Sequence, residues 1–218
     1  MIDDMFPTHT VIRAGDILGF SGNSWWSAGI NVATYGLPWW SLSHVGIVAE
    51  IPKHCIWPDS VIMDCRYCPP KPGTLVLFES TMSCDLPCIF QGKVVSGVQG
   101  HKIADRVAEY QGKVWRYPMR RTLRPLESER LTHYLLSHLG VDYDTIGAFR
   151  AGGVGFSFVE SLFRPEDLTS LFCSEFVAAA QKHVRLLDGG VSANRWSPNL
   201  LVRTEWRRGL LLKPRRLK

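Results

Sequence analysis

The sequence predicts an α+β domain in which an antiparallel sheet is packed with helices. Two short apolar runs, His44 to Ala49 (HVGIVA) and Thr74 to Glu79 (TLVLFE), are rich in branched side chains and read as buried strands. Two longer stretches, 125–139 and 171–187, repeat apolar residues at helical spacing. The strands come first with helices on either side, the order of an α+β chain.

Taken in order, Ser24 can cap a short helix to about Thr34, ended by Gly36 and Pro38. The strand HVGIVA follows. The stretch 51–73 holds five prolines and three cysteines and reads as a long irregular insertion before TLVLFE. Further strands are expected at Lys93 to Val98 and Lys113 to Tyr117. Pro125 suits the first turn of a helix running to about Leu139. Leu131, Leu135 and Leu139 share one face of it, and Gly140 closes it. Gly147 to Phe158 is glycine-rich and loop-like. The last predicted helix spans Leu171 to Leu187, with Phe172, Phe176, Ala180, Val184 and Leu187 as its buried stripe.

The chain has 218 residues, 45% hydrophobic and 21% charged, which suits one globular domain over 1–218 with an insertion at about 51–73 and a basic tail at about 203–218. No internal repeat or low-complexity tract is present. The net charge is +5. Basic residues crowd at Arg116, Arg120, Arg121 and Arg124, and again at Arg203, Arg207, Arg208, Lys213, Arg215, Arg216 and Lys218, where Glu205 is the one counter-charge. Such runs attract anionic surfaces. No nucleic-acid-binding motif accompanies them, so nucleic acid is not the expected partner. No stretch approaches the roughly 20 apolar residues of a membrane span. The first ten residues, MIDDMFPTHT, do not read as a signal peptide. The expectation is cytoplasmic synthesis, with any action outside the cell depending on a virion, lysis or secretion system.

Cys173 is the expected nucleophile. Thr169 or Ser170 can cap a helix beginning near Leu171, with Glu175 in its first turn. A cysteine at that positive end is biased toward thiolate, and first-turn N–H groups can hold an oxyanion. His44 opens one strand and Glu79 ends the other. An antiparallel register that pairs Ala49 with Thr74 also sets His44 opposite Glu79, so that the carboxylate can orient the imidazole. A cysteine, a histidine base and a third polar group form a nucleophilic constellation. The remaining histidines lack suggestive partners, apart from His54 beside Cys55.

Five of the six cysteines lie between residues 55 and 88. Cys65-x2-Cys68 and Cys84-x3-Cys88 approach zinc-ribbon spacing, which makes a structural zinc held by Cys65, Cys68, Cys84 and Cys88 one reading. Disulfides and free thiols are the others.

The motifs also come in a recognisable order: Gly15-Asp16-Ile17-Leu18, Ser43-His44-Val45-Gly46-Ile47-Val48, Phe78-Glu79-Ser80, Gly140-Val141-Asp142-Tyr143-Asp144, Leu171-Phe172-Cys173-Ser174-Glu175-Phe176-Val177 and Ser197-Pro198-Asn199-Leu200. This resembles the circularly permuted papain-like cysteine hydrolases of the NlpC superfamily, the YiiX/YaeF type, in which the histidine strand precedes the cysteine helix. The resemblance runs from about Gly15 to Leu201. It implies Cys173 as nucleophile, His44 as base, Glu79 as third member and Tyr143 as a substrate- or oxyanion-positioning residue. It requires no cofactor and implies a peptide or peptidoglycan-like substrate, so cleavage of an amide bond in a bacterial cell-wall peptide is the first expectation. Two alternatives stand beside it. One is a lipid acyl hydrolase or acyltransferase resembling lecithin:retinol acyltransferase, for which Trp25, Trp26, Trp39 and Trp40 near His44 would suit a lipid site. The other is a non-catalytic structural or binding protein that retains the fold.

Overall fold

A computed structural model of the chain describes residues 11–22, 42–53, 70–81, 84–141, 165–187 and 196–218, with backbone alone for 165–172. Its centre is a six-stranded sheet: β1 Ile17–Ser21, β2 His44–Glu50, β3 Leu75–Thr81, β4 Gly97–Lys102, β5 Lys113–Tyr117 and β6 Arg215–Arg216. The spatial order is β4-β3-β2-β1-β5-β6, and every neighbouring pair is antiparallel. The described residues also form four helices: α1 Ile103–Glu109, α2 Pro125–Ser137, α3 Pro165–His183 and α4 Pro198–Arg207. The architecture is α+β, as the order of strand and helix patterns predicts.

Helices cover both faces of the sheet, which is why its central strands are apolar runs rather than apolar–polar alternations. On one face Ile17, Val45, Ile47, Val76 and Phe78 pack with Leu131 and Leu135 of α2, Val177 and Ala180 of α3, and Leu201 of α4. On the other, Leu18, Phe20, Val48, Leu77 and Val114 pack with Ile103 and Val107 of α1. Helix α3 is the buried centre of the first layer: seven consecutive positions from Cys173 include only one, Ala179, that is not buried.

Several boundaries depart from the sequence reading. The strand expected at 93–98 lies instead at 97–102, because residues 88–93 close a tight turn, with Gly92 N–H donating to Cys88 O and Cys88 N–H donating to Lys93 O. A strand of sequence GVQGHK has little β character of its own. Its Gly100 is required because a Cβ there would sit 2.3 Å from the Phe90 ring, which lies over the strand. Strand β1 and the seven-residue α1 were not predicted. Helix α2 ends at Ser137, and Gly140 then turns with φ of 72°. The expected helix after Ser24 and the loop at 147–158 lie outside the described residues.

Two corrections bear on the site. Helix α3 starts at Pro165, not near Leu171. Proline at the first helical position followed by Glu166 and Asp167 is a helix-start sequence, and it outranks the Thr169-Ser170 cap. The β2–β3 register also differs: Ala49 pairs with Val76 rather than Thr74. The shift is two residues. Because side chains alternate with period two, it preserves which face each residue occupies.

Candidate active site

His44 begins β2 and Glu79 lies near the end of β3. In the observed register Gly46, not His44, stands across from Glu79, so the histidine reaches the carboxylate diagonally. Gly46 keeps that diagonal open. A Cβ on it would meet Leu77 Cδ1 at 2.8 Å, the Phe78 carbonyl at 2.9 Å and Glu79 Cβ at 3.3 Å. His44 Nε2 donates to Glu79 Oε2 at 2.6 Å. The same imidazole is hydrogen-bonded to Cys173. With Nε2 committed to Glu79, Nδ1 is the ring nitrogen left to face the sulfur. Cys173 and Glu79 are fully buried, and the His44 side chain is 12% exposed.

The electrostatics follow from this chain of contacts. Burial alone pulls His44 down, but the Cys173 sulfur and then Glu79 outweigh it and lift the imidazole to about 9. Burial pushes Glu79 up, yet its hydrogen bond and ion pair with His44, with Arg106 and His101 behind, bring it to about 2. Glu79 is thus an anion and His44 an imidazolium near neutral pH.

Arg106 is the member that sequence reading missed. It lies on the short α1, directly after β4, and is buried. Its Nε donates to Glu79 Oε1 at 2.7 Å and its Nη2 to Oε2 at 3.4 Å, while Nη1 reaches Glu109 at 2.7 Å. The guanidinium stacks 5.0 Å from the Phe20 ring and 5.5 Å from Tyr110. Phe20 is also the β1 partner of His44, with ring centres 5.5 Å apart, so one aromatic shelf supports both cations. His101, read from the sequence as lacking a suggestive partner, is a second member. Its Nε2 is 3.5 Å from Glu79 Oε1 and donates to Gln99 Oε1 at 3.0 Å. Gln99 cannot present its other end, because its Nε2 donates to the Thr81 and Val95 carbonyls. The available signal for both residues was polarity inside otherwise buried elements.

Asn199 fixes the approach to His44. It accepts from Leu42 N–H at 2.9 Å and donates to Leu42 O at 3.3 Å. Beside Cys173, Ser174 Oγ donates to the Trp196 carbonyl. The N-terminal end of α4 is therefore tied to both halves of the candidate site.

Cys173 is the ninth residue of α3 rather than a first-turn residue. The first-turn N–H groups expected to hold an oxyanion lie two turns away, and the thiol's electrostatic partner is His44 instead of the helix end. Tyr143, Trp25, Trp26, Trp39, Trp40, Cys65 and Cys68 lie outside the described residues. Cys84 and Cys88 are buried thiols in different surroundings. Cys88 Sγ accepts from Gly100 N–H at 3.4 Å, whereas Cys84 Sγ lies 3.7 Å from His101 Nε2. Among the described residues, Glu79, Cys84 and His101 form the one group whose ligand atoms converge, within 4.8 Å of one another. This trio fits a metal poorly. Glu79 already carries the Arg106 cation, and burial pushes the Cys84 thiol up to about 11.

No known family model matches the chain, and no curated protein matches its sequence. The geometry therefore carries the functional reading. No helix among the described residues is long and apolar enough to cross a membrane.

Proposed function

We propose that the chain is a cysteine hydrolase that cleaves an amide bond through a thioester on Cys173, on a permuted papain-like core. One observation carries the reading: a single imidazole bonded to the buried Glu79 on one side and to the buried Cys173 on the other. Glu79 holds the ring in place. Nδ1, facing the sulfur, is where a proton must shuttle. Cys173 Sγ attacks the carbonyl carbon, and the carbonyl electrons move to oxygen. As the tetrahedral intermediate collapses, the C–N bond breaks and His44 gives its Nδ1 proton to the departing amine. Water then attacks the thioester while His44 takes a proton from it, releasing the acid and restoring the thiolate–imidazolium pair. A cell-wall peptide is the proposed substrate, in keeping with the superfamily the motif order resembles.

The test is to trap and weigh a covalent Cys173 adduct after incubation with purified sacculi and, separately, with labelled phospholipid. An adduct from sacculi that is absent in Cys173→Ser supports the reading, and one from lipid alone reassigns it to acyl transfer. His44→Ala is expected to slow iodoacetamide labelling of Cys173 at pH 7 by about 100-fold or more. No adduct from either source, with labelling unaffected by His44→Ala, would leave a non-catalytic scaffold.

A further inference from the structure

The two basic runs, some ninety residues apart in the chain, meet on the surface. Leu212 N–H donates to Pro118 O at 2.8 Å, Arg120 N–H to Leu210 O at 2.8 Å and Arg120 Nε to Gly209 O at 2.7 Å, and Met119 bridges Leu211. Arg116 leaves the patch, because it is buried and its Nε donates to Asp16 Oδ2 at 2.7 Å. Arg130 and Arg185 join it, since they line one depression together with Arg121, Arg124 and Leu126.

Two acids close to this patch are neutralised or turned away. Glu127 is held by both Arg121 and Arg124. Glu205, the lone acidic side chain in 196–218, is fully buried and turned inward to Gln181 at 2.9 Å. Arg207, Arg208, Lys213, Arg215 and Arg216 are exposed, and Arg203 is half-buried. Exposed apolar side chains accompany these basic residues. Of the six large hydrophobic side chains exposed among the described residues, four lie in or directly beside the two basic runs: Leu126, Leu200, Trp206 and Leu212. A face built only for a hydrated polyanion gains nothing from exposed leucines. Arginines interleaved with a tryptophan and leucines are the chemistry of an anionic lipid interface, where phosphates meet guanidinium groups and apolar tips enter the acyl boundary.

We propose that the outer side of α4, the 208–213 segment and the 120–124 loop with the first turn of α2 dock on an anionic phospholipid membrane. The docking itself does not depend on the hydrolase reading.

The test is sedimentation of the full chain with vesicles of phosphatidylcholine alone or with 30% phosphatidylserine. Binding is expected to the mixed vesicles at 0.1 M salt and to be lost at 0.5 M. Removing one basic residue near an anionic leaflet weakens binding about fivefold, so Arg203→Gln/Arg207→Gln should weaken it about 25-fold. Lys71→Gln/Lys93→Gln removes equal charge elsewhere on the surface and should leave it within twofold. Trp206→Ala should weaken binding at both low and moderate salt. Three results overturn the proposal. One is equal binding to neutral vesicles, or none to either. Another is equal loss from the two charge-removal pairs. The last is displacement from vesicles by an oligonucleotide at equal phosphate, which would make the face a nucleic-acid surface.

Discussion

Replacing Glu79 with glutamine keeps the side-chain volume but removes the charge on which His44, Arg106 and His101 converge. The folded protein holds Glu79 at about 2 against an ordinary 4.5. That gap corresponds to about 3 kcal/mol of stability at neutral pH. Breaking a buried ion pair by deleting one partner costs about 3–5 kcal/mol, which agrees. For a chain of this size the loss should lower the melting temperature by about 6–12 °C. The pH dependence gives a sharper test. A carboxylate with a lowered pKa stabilises above its unfolded value of 4.5, and that stabilisation disappears as pH falls toward 2. The difference between wild type and Glu79→Gln should therefore shrink by about 1 kcal/mol between pH 7 and pH 4, and by about 2 kcal/mol by pH 3. Urea unfolding of both proteins across this range measures it. A loss below about 1 kcal/mol at pH 7, or one that does not narrow in acid, would show that Glu79 is not the ionised centre of the network.

Three further outcomes are expected. The imidazole of His44, followed by NMR, should titrate near 9, and its midpoint should fall in Cys173→Ser because the sulfur is the leading group lifting it; its stabilising contribution, full below about pH 6.5, fades as pH rises through 9. An unmoved midpoint would separate Cys173 from His44. Gly46→Ala should cost about 1–3 kcal/mol in urea unfolding, because the new methyl meets the Phe78 carbonyl at 2.9 Å and crowds Glu79 at 3.3 Å; a neutral effect would show that the strand pair is looser than described. Glu205 is pushed up to about 8 by burial, so holding it folded becomes more costly as pH climbs from 4.5 to 8. Glu205→Gln should therefore stabilise the protein more at pH 8 than at pH 5 in thermal melts, and equal effects would mean that the carboxyl is already solvated.

Much of the candidate site was legible before folding. HVGIVA and TLVLFE are strands because their branched, apolar side chains must be buried on both faces. His44 and Glu79 stand out as polar residues within such segments, and Cys173 as a reactive one in an apolar helix. The register proposed from residue numbers was wrong by two, yet it still predicted the His44–Glu79 contact. Parity alone decides which side chains share a face, and these two are long enough to meet on the diagonal. The cysteine's setting was less legible. Thr169-Ser170 resembles a cap, but Pro165 with two following acids starts the helix earlier and moves Cys173 away from the dipole.

What the sequence determined by itself was element type, the antiparallel α+β class and the residues that could do chemistry. These rest on periodicity and side-chain character, which are local. What tertiary structure alone decided was company. Arg106 sits 27 positions from Glu79, and nothing local marks a buried guanidinium on a seven-residue helix as its counter-ion. Arg116 and Arg120 are four residues apart in one basic run, yet one is sealed against Asp16 and the other joins the C-terminal segment on the surface. Charge is written in the sequence, but the field each charge feels depends on what the chain brings beside it and on how much water remains there.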